Sequence, residues 1–319
     1  MAQHAAGQVN VDLILNRRAR HLREGSALRD LLAAEARRAG VHVHETSTLA
    51  ELDEVARALA TRGSDAVVLA GGDGSVMGGF SALARAWTGA LPAVVLAPGG
   101  TVATIAHNLG VHGEARAWAR RAIAAPFRPD PRVVQHATLH VTDDAGGDRV
   151  GFIFGAGLVA RFFQEYYGAK DPGLAAAAGL AARVFAGSIA GSSLAGRVLS
   201  PVGSALEVDG VAQAGHAWSL VLASVLRDVG LHVRATYRAG DEPGRFHVVA
   251  SGLPPRGLAR EFHRVLTGRP MRGEPRVDAL AASLRLRFDE EGSYVLDGDL
   301  VPAREVRLAP GPSVRFLAP

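Results

Sequence analysis

Cysteine is absent from all 319 residues, so disulfides, thiolate metal sites and a cysteine nucleophile are excluded. Lysine is nearly absent as well: the 35 basic residues include a single one, Lys170. A GxxxxGK[ST] phosphate loop and the strand lysine of a protein kinase both need lysine in a fixed context, and neither is found around Lys170. Aromatic residues make up only 6%. No alternation of basic and aromatic residues suited to nucleic acid occurs, so no nucleic-acid partner is expected. Long apolar runs are missing too. The longest candidate, Gly173 to Ala195, is rich in Ala and Gly and broken by Arg183, short of the ~20 uninterrupted apolar residues of a membrane span. The first residues, MAQHAAGQVN, show no basic segment followed by an apolar run, so no secretory signal is read and a cytoplasmic location is expected.

What is present is an ordinary globular composition, with 48% hydrophobic and 21% charged residues and a net charge of +4. The length suggests two domains. Strand and helix patterns alternate through the first part of the chain. Val11–Leu15, Val41–His44, Ala66–Leu69 and Ala93–Leu96 read as strands. Between them lie helical patterns from Ser26 to Gly40, from Ser47 to Ala60 and from Val76 to Trp87, with a further one ending at Asn108. Such alternation implies βαβ units on a doubly wound parallel sheet, a nucleotide-binding type of domain. After the proline-punctuated stretch Pro126–Pro131 the texture changes. Val133–Thr142 and Arg149–Phe154 flank a hairpin composition, Asp143 to Asp148. Further short strands follow, among them Ser283–Phe288 and Ser293–Leu296, interrupted by one Ala-rich helix from Leu174 to Ala190. The expected division is an α/β domain over 1–128, to which 305–319 can return, and a mostly antiparallel β-rich domain over 129–304.

Three motifs carry candidate chemistry. Gly71-Gly72-Asp73-Gly74-Ser75 follows a buried strand and opens a helix, where open α/β sheets bind ligands. Glycines let backbone N–H groups converge on a phosphate, and the helix N-terminus adds positive potential. A carboxylate there would repel phosphate unless Mg²⁺ lay between, so Asp73 points to a magnesium nucleotide; the bland reading is a tight turn capped by Asp. Pro98-Gly99-Gly100-Thr101 repeats the geometry one βα unit later, Thr101 offering a hydroxyl to phosphate or merely a helix cap. Asp297-Gly298-Asp299 follows a strand late in the chain. It reads as a hairpin turn or as the carboxylate that orients and deprotonates an attacking alcohol.

The order of these motifs resembles the diacylglycerol-kinase-type lipid kinases, which include bacterial diacylglycerol kinases and sphingosine kinases. The similarity is most specific in AGGDGSVMGGFSAL and APGGTVATIAHNLGV; the β-rich part matches in layout and in Phe154-Gly155-Ala156-Gly157. The resemblance implies ATP- and Mg²⁺-dependent phosphorylation of a lipid hydroxyl, with ATP between the two domains and the lipid on the β domain. It also implies peripheral contact with an anionic membrane, and it is compatible with a homodimer. By position it implies nucleotide contacts from Asn16, Thr46, Gly71, Gly72, Asp73, Gly74, Ser75, Gly100 and Thr101. Asp73 would act through Mg²⁺, and Asp299 would be the base. Departures from the family pattern are Arg17 after Asn16, Ala103 after the loop threonine, Met77-Gly78 after the first loop, and Asp299 where a longer Glu is usual. A structural Mg²⁺ near Asp241 and Glu242 is not carried over, because Pro243 stands where the resemblance would place an aspartate.

Other features take plainer readings. His42 with His44, and His136 with His140, share strand faces but complete no ligand set. The stripe Phe162, Phe163, Tyr166, Tyr167 reads as packing or as a contact for an acyl chain. A kinase of the NAD or phosphofructokinase type also carries a Gly-Gly-Asp-Gly loop, and a lipid-binding pseudokinase is the non-enzyme alternative.

Overall fold

The computed structural model describes residues 9–99, 114–168, 173–230 and 233–318. They form two compact units, residues 1–136 with 313–319, and residues 137–312.

The first unit is an α/β layer structure. Its elements are β1 (Val11–Asn16), α1 (Ala27–Arg38), β2 (His42–Thr46), α2 (Leu49–Arg62), β3 (Ala66–Gly71), α3 (Asp73–Ala86), β4 (Ala93–Pro98), α4 (Ala115–Ala124), β5 (Arg132–His136) and the last strand, β17 (Val314–Ala318). The sheet order is β2-β1-β3-β4-β17-β5. The first five strands run parallel and β5 is antiparallel to β17. β3 is apolar and buried along its whole length because helices cover both faces of such a sheet. Val67, Val68 and Leu69 are each nearly inaccessible, and burying side chains of that size stabilises by about 1.5–3 kcal/mol apiece. Helix α1 presents Leu28, Leu32 and Ala36 inward at a spacing of four. Helix α2 is capped by Thr48 rather than opened at Ser47 as the sequence reading has it. Thr48 has Glu51 three places on, and its side chain accepts from the Glu51 N–H.

The second unit is built on antiparallel strands: β6 (Leu139–Asp143), β7 (Asp148–Gly151), β8 (Ile153–Gly157), β9 (Val202–Val208), β10 (Val211–Ala212), β11 (Ala217–Trp218), β12 (Leu220–Ser224), β13 (Phe246–Ser251), β14 (Arg276–Ala281), β15 (Leu284–Leu296) and β16 (Asp299–Pro310). The main path is β14-β13-β12-β8-β15-β16-β6-β7, with β9 on β15 and the short β10 and β11 on β9. Its described helices are α5 (Leu158–Tyr167), α6 (Leu174–Ala190), α7 (Ser193–Leu199) and α8 (Pro255–Leu266). The expected α/β plus antiparallel β architecture is the one observed.

Several local readings change. The run 133–142 is not one strand: β5 belongs to the first unit's sheet and β6 to the second's. The break falls at buried Thr138, whose hydroxyl donates to the Pro312 carbonyl. His136 and His140 therefore share no strand face. The two late runs are one strand, β15, which continues through the turn-like Asp289–Gly292 with a register irregularity between Arg287 and Gly292. Helix α8 went unread because its charges and paired prolines resemble a loop. Leu258, Phe262 and Val265 at helical spacing were the available signal. No single described helix is long and apolar enough to cross a membrane; α6 and α7 together are apolar enough but bend by 105° at the break between them.

Candidate functional site

In the first unit the carboxyl ends of four strands lie side by side. Asn16 pairs in register with Thr46, and Leu15 with Ala70. Gly71 is opposite Pro98. Because β2 lies on one side of β1 and β3 on the other, the chain reverses its winding direction between β1 and β3, the position at which open sheets leave a ligand crevice. Asn16 stands on one side of that position and Gly71–Ser75 on the other. The Asn16 amide donates to Ser75 Oγ at 2.6 Å, while Asn16 Oδ1 accepts from the Arg18 N–H at 2.8 Å. Thr46 is buried, and its carbonyl accepts from the Arg17 N–H.

The motif at the end of β3 is tighter than a loop. Gly72 is the N-cap of α3, and Asp73, Gly74 and Ser75 form its first turn. Gly72 brings no side chain to cap the helix, and the first-turn N–H groups of any α-helix have no acceptors within the helix itself. Gly71 must be glycine: a Cβ there would collide with Ser75 Cβ and Oγ. The second Gly-rich turn adjoins the first, since the Gly99 N–H donates to the Gly71 carbonyl at 2.8 Å. Gly100, Thr101 and Ala103 lie outside the described residues.

Asp73 is half-buried in the first helical turn, where an anion interacts favourably with the helix dipole. The donor set here is one carboxylate with the Ser75 hydroxyl in the same helical turn. That suits Mg²⁺ shared with nucleotide phosphates, since Mg²⁺ is commonly held by one or two carboxylates plus substrate phosphates. Among the described residues no group of three or more His, Asp or Glu forms a closed metal site. Asp241 is paired with Arg227 at 2.8 Å, and Glu242 with Arg245 at 3.3 Å.

Asp299 belongs to the second unit. Asp297 and Gly298, at φ of 50° and 99°, form the two-residue connection between β15 and β16. Two successive positive φ values are what a type I′ hairpin needs, and Asp-Gly supplies them. Asp297 is a structural latch. Its buried carboxylate accepts from the backbone N–H groups of Phe152 at 3.0 Å and Ile153 at 2.8 Å, which ties the hairpin to β8. Asp299 opens the return strand, opposite Leu296. Burial pushes its carboxyl above the usual carboxylate range, with the Arg149 guanidinium pulling weakly the other way. Arg149 is itself engaged, donating to Asp143 at 2.6 Å and to the Tyr294 hydroxyl at 3.0 Å. The Tyr294 hydroxyl donates to Asp143 at 2.7 Å. Burial alone would raise Asp143, but these bonds and the Gly147 N–H hold its carboxyl below the usual range. The Asp143–Arg149–Tyr294 cluster went unremarked in the sequence, where Arg149 is simply a polar position in an alternating strand. The aromatic stripe divides in two. Tyr166 is buried in the helical core beside Leu180 and Val198. Tyr167 is exposed and donates its hydroxyl to the Gly298 carbonyl at 2.6 Å.

Residues 10–129 match the diacylglycerol kinase catalytic domain. That segment holds Asn16, Thr46 and both Gly-rich turns, while Asp299 lies beyond it. Among solved structures, the chain is similar to a diacylglycerol kinase from Bacillus anthracis str. Sterne at 14% identity, with a TM-score of 0.65 and 97% of each chain covered. Two further structures from that organism carry the same assignment provisionally. One is 15% identical, with a TM-score of 0.67 and coverage of 100% of this chain and 99% of the other. The second is 13% identical, with a TM-score of 0.68 and 97% of each chain covered. At these identities the likeness establishes the fold. A search of curated proteins returned no match.

Proposed function

We propose that this protein is a lipid kinase, transferring the γ-phosphoryl group of ATP to a hydroxyl of a diacylglycerol- or sphingosine-like lipid. The observation that carries the reading is the convergence of Asn16, Thr46 and Gly71–Ser75 at the winding reversal, inside the segment that matches the diacylglycerol kinase catalytic domain. The first-turn N–H groups of α3 and the second Gly-rich turn, through Gly100 and Thr101, would cradle the phosphates. Asn16 fixes Ser75 so that its hydroxyl keeps one orientation. Asp73 would hold Mg²⁺, whose service when bound is to neutralise charge building on the β- and γ-phosphate oxygens. The acceptor oxygen attacks the γ-phosphorus as the bond to the β–γ bridging oxygen breaks, and the hydroxyl proton passes to the Asp299 carboxylate. A carboxyl raised by burial is a stronger base than an exposed one, which suits that role.

The test is ATP turnover by the purified protein with a mixed lipid extract, with NAD and with sugar phosphates as separate acceptors. Lipid-dependent ADP release with a phosphorylated lipid product supports the reading. Turnover with NAD or a sugar phosphate alone would move the protein to another kinase class. Lipid binding without any turnover would make it a pseudokinase.

A further inference from the structure

Helices α6 and α8 pack side by side, with the ring centroids of Phe185 and Phe262 4.7 Å apart. Their outward faces differ in kind. On α6 the exposed positions include Ala182, Ala186 and Ile189, and Ile189 is 66% exposed. On α8 the exposed positions Arg256, Arg260 and His263 fall at helical spacing, followed by exposed Leu266 and Arg269. The two faces adjoin, since the Arg256 guanidinium lies 3.8 Å from where a Cβ on Gly191, just past the end of α6, would stand.

The charge here is unbalanced. Residues 174–199 and 253–273 contain seven arginines and one glutamate, in a chain whose whole net charge is +4. Glu261 is already paired with Arg264. Arg183, Arg256, Arg260 and Arg269 have no carboxylate partner among the described residues. Exposed arginines without acidic partners, beside exposed Ile189 and Leu266, are the pattern of an interfacial helix surface: cations for phosphate headgroups and apolar side chains for the acyl boundary.

We propose that this α6–α8 face docks on an anionic lipid bilayer. Nucleic acid would use the arginines but would gain nothing from Ile189 and Leu266, so the lipid surface is the occupant that both halves fit. The inference rests on the lipid-kinase reading only for its purpose, bringing the enzyme to a substrate held in a membrane.

The experiment is vesicle sedimentation of the full chain without nucleotide. It compares phosphatidylcholine alone, phosphatidylcholine mixed with phosphatidylglycerol, and the mixture at raised salt. The parent should bind the anionic mixture and release as salt screens the contact. An arginine near such a surface contributes about fivefold in affinity, so Arg256→Gln/Arg260→Gln should bind about 25-fold more weakly. Ile189→Asp should lose about tenfold or more. Arg37→Gln/Arg38→Gln, the same charge change on exposed positions of α1, should bind like the parent. Thermal unfolding checks that each variant is folded. Equal binding to neutral vesicles, equal losses in the α1 control, or tighter binding to an RNA homopolymer than to anionic vesicles would each overturn the proposal. Turnover on a short-chain, water-soluble diacylglycerol needs no vesicle, so failure of the kinase reading and failure of this surface are read separately.

Discussion

The side-chain amide of Asn16 and the hydroxyl of Ser75, 59 residues apart in sequence, share a 2.6 Å hydrogen bond that joins the end of β1 to the first turn of α3. Asn16→Ala should cost about 1 kcal/mol of stability, the usual net worth of one such bond. It should also weaken ATP binding, because Ser75 loses its fixed orientation. A double-mutant cycle with Ser75→Ala, read by urea unfolding and by nucleotide titration, checks the coupling. Additive losses in both readouts would show that the bond does not organise the site.

Asp73→Ala should abolish Mg²⁺-dependent ATP turnover and leave the fold intact. A half-buried residue of the first helical turn contributes little to packing, so the melting temperature should stay close to the parent's. Near-parental turnover would remove Asp73 from the nucleotide site.

Asp299→Asn should slow phosphoryl transfer by about 10²–10⁴, the span of a general base, with nucleotide affinity little changed. Asp299→Glu should keep activity, since the carboxylate is retained. Stability should move in the opposite direction to activity. Burial raises the Asp299 carboxyl in the folded protein, so the fold favours its protonated form and loses stability as pH climbs from the usual carboxylate range through that raised value. Asp299→Asn should therefore be at least as stable as the parent at neutral pH, with the difference vanishing in acid. Single-turnover rates at saturating ATP and unfolding at two pH values check both halves.

Asp297 gives the contrast. Asp297→Ala removes the acceptor for two backbone N–H groups and the side chain that favours a positive φ. It should cost about 2–3 kcal/mol, more than it costs the chemical step per bound substrate. Chemical denaturation and single-turnover rates on the same variant separate the two effects.

Asp12 predicts an acid limb of stability for the first unit. Burial would raise its carboxyl, but His44 at 2.8 Å, Arg62 and Ser64 at 2.6 Å hold it at about 2. The network's contribution is complete above the unfolded carboxylate range and is lost as pH falls toward about 2. From the depression it amounts to about 2.5 kcal/mol. Asp12→Asn should flatten that limb in thermal melts taken across the acid range.

Much of the first unit was legible because its signals are local. Buried strands such as Ala66–Leu69 are continuous apolar runs, and the ends of α1 are marked by Ser26 and by Gly40. The second unit was less so. Whether Val133–Thr142 is one strand or two depends on Pro312, far along the chain, which accepts from Thr138. Asp289–Gly292 has turn composition, yet β16 pairs with the strand both before and after it, and β9 pairs up to Phe288. At the candidate site, glycine spacing showed where Gly71–Ser75 lies but not that Asp73 is helical. Asp-Gly-Asp announced a hairpin, but the division of labour between Asp297 and Asp299 depends on burial and on Phe152, Ile153 and Arg149, which no local pattern encodes.

The place of β17 between β4 and β5 sets an order on biosynthesis. While a ribosome is still making the chain, β5 has no neighbour in its sheet and β4 presents a bare edge, although most of that layer has long since emerged. The second unit can complete its own strands first. The α/β layer closes only when Val314–Ala318 arrive, so a released chain truncated just before Val314 should be protease-sensitive and aggregation-prone, although its β15–β16 hairpin is protected from hydrogen exchange.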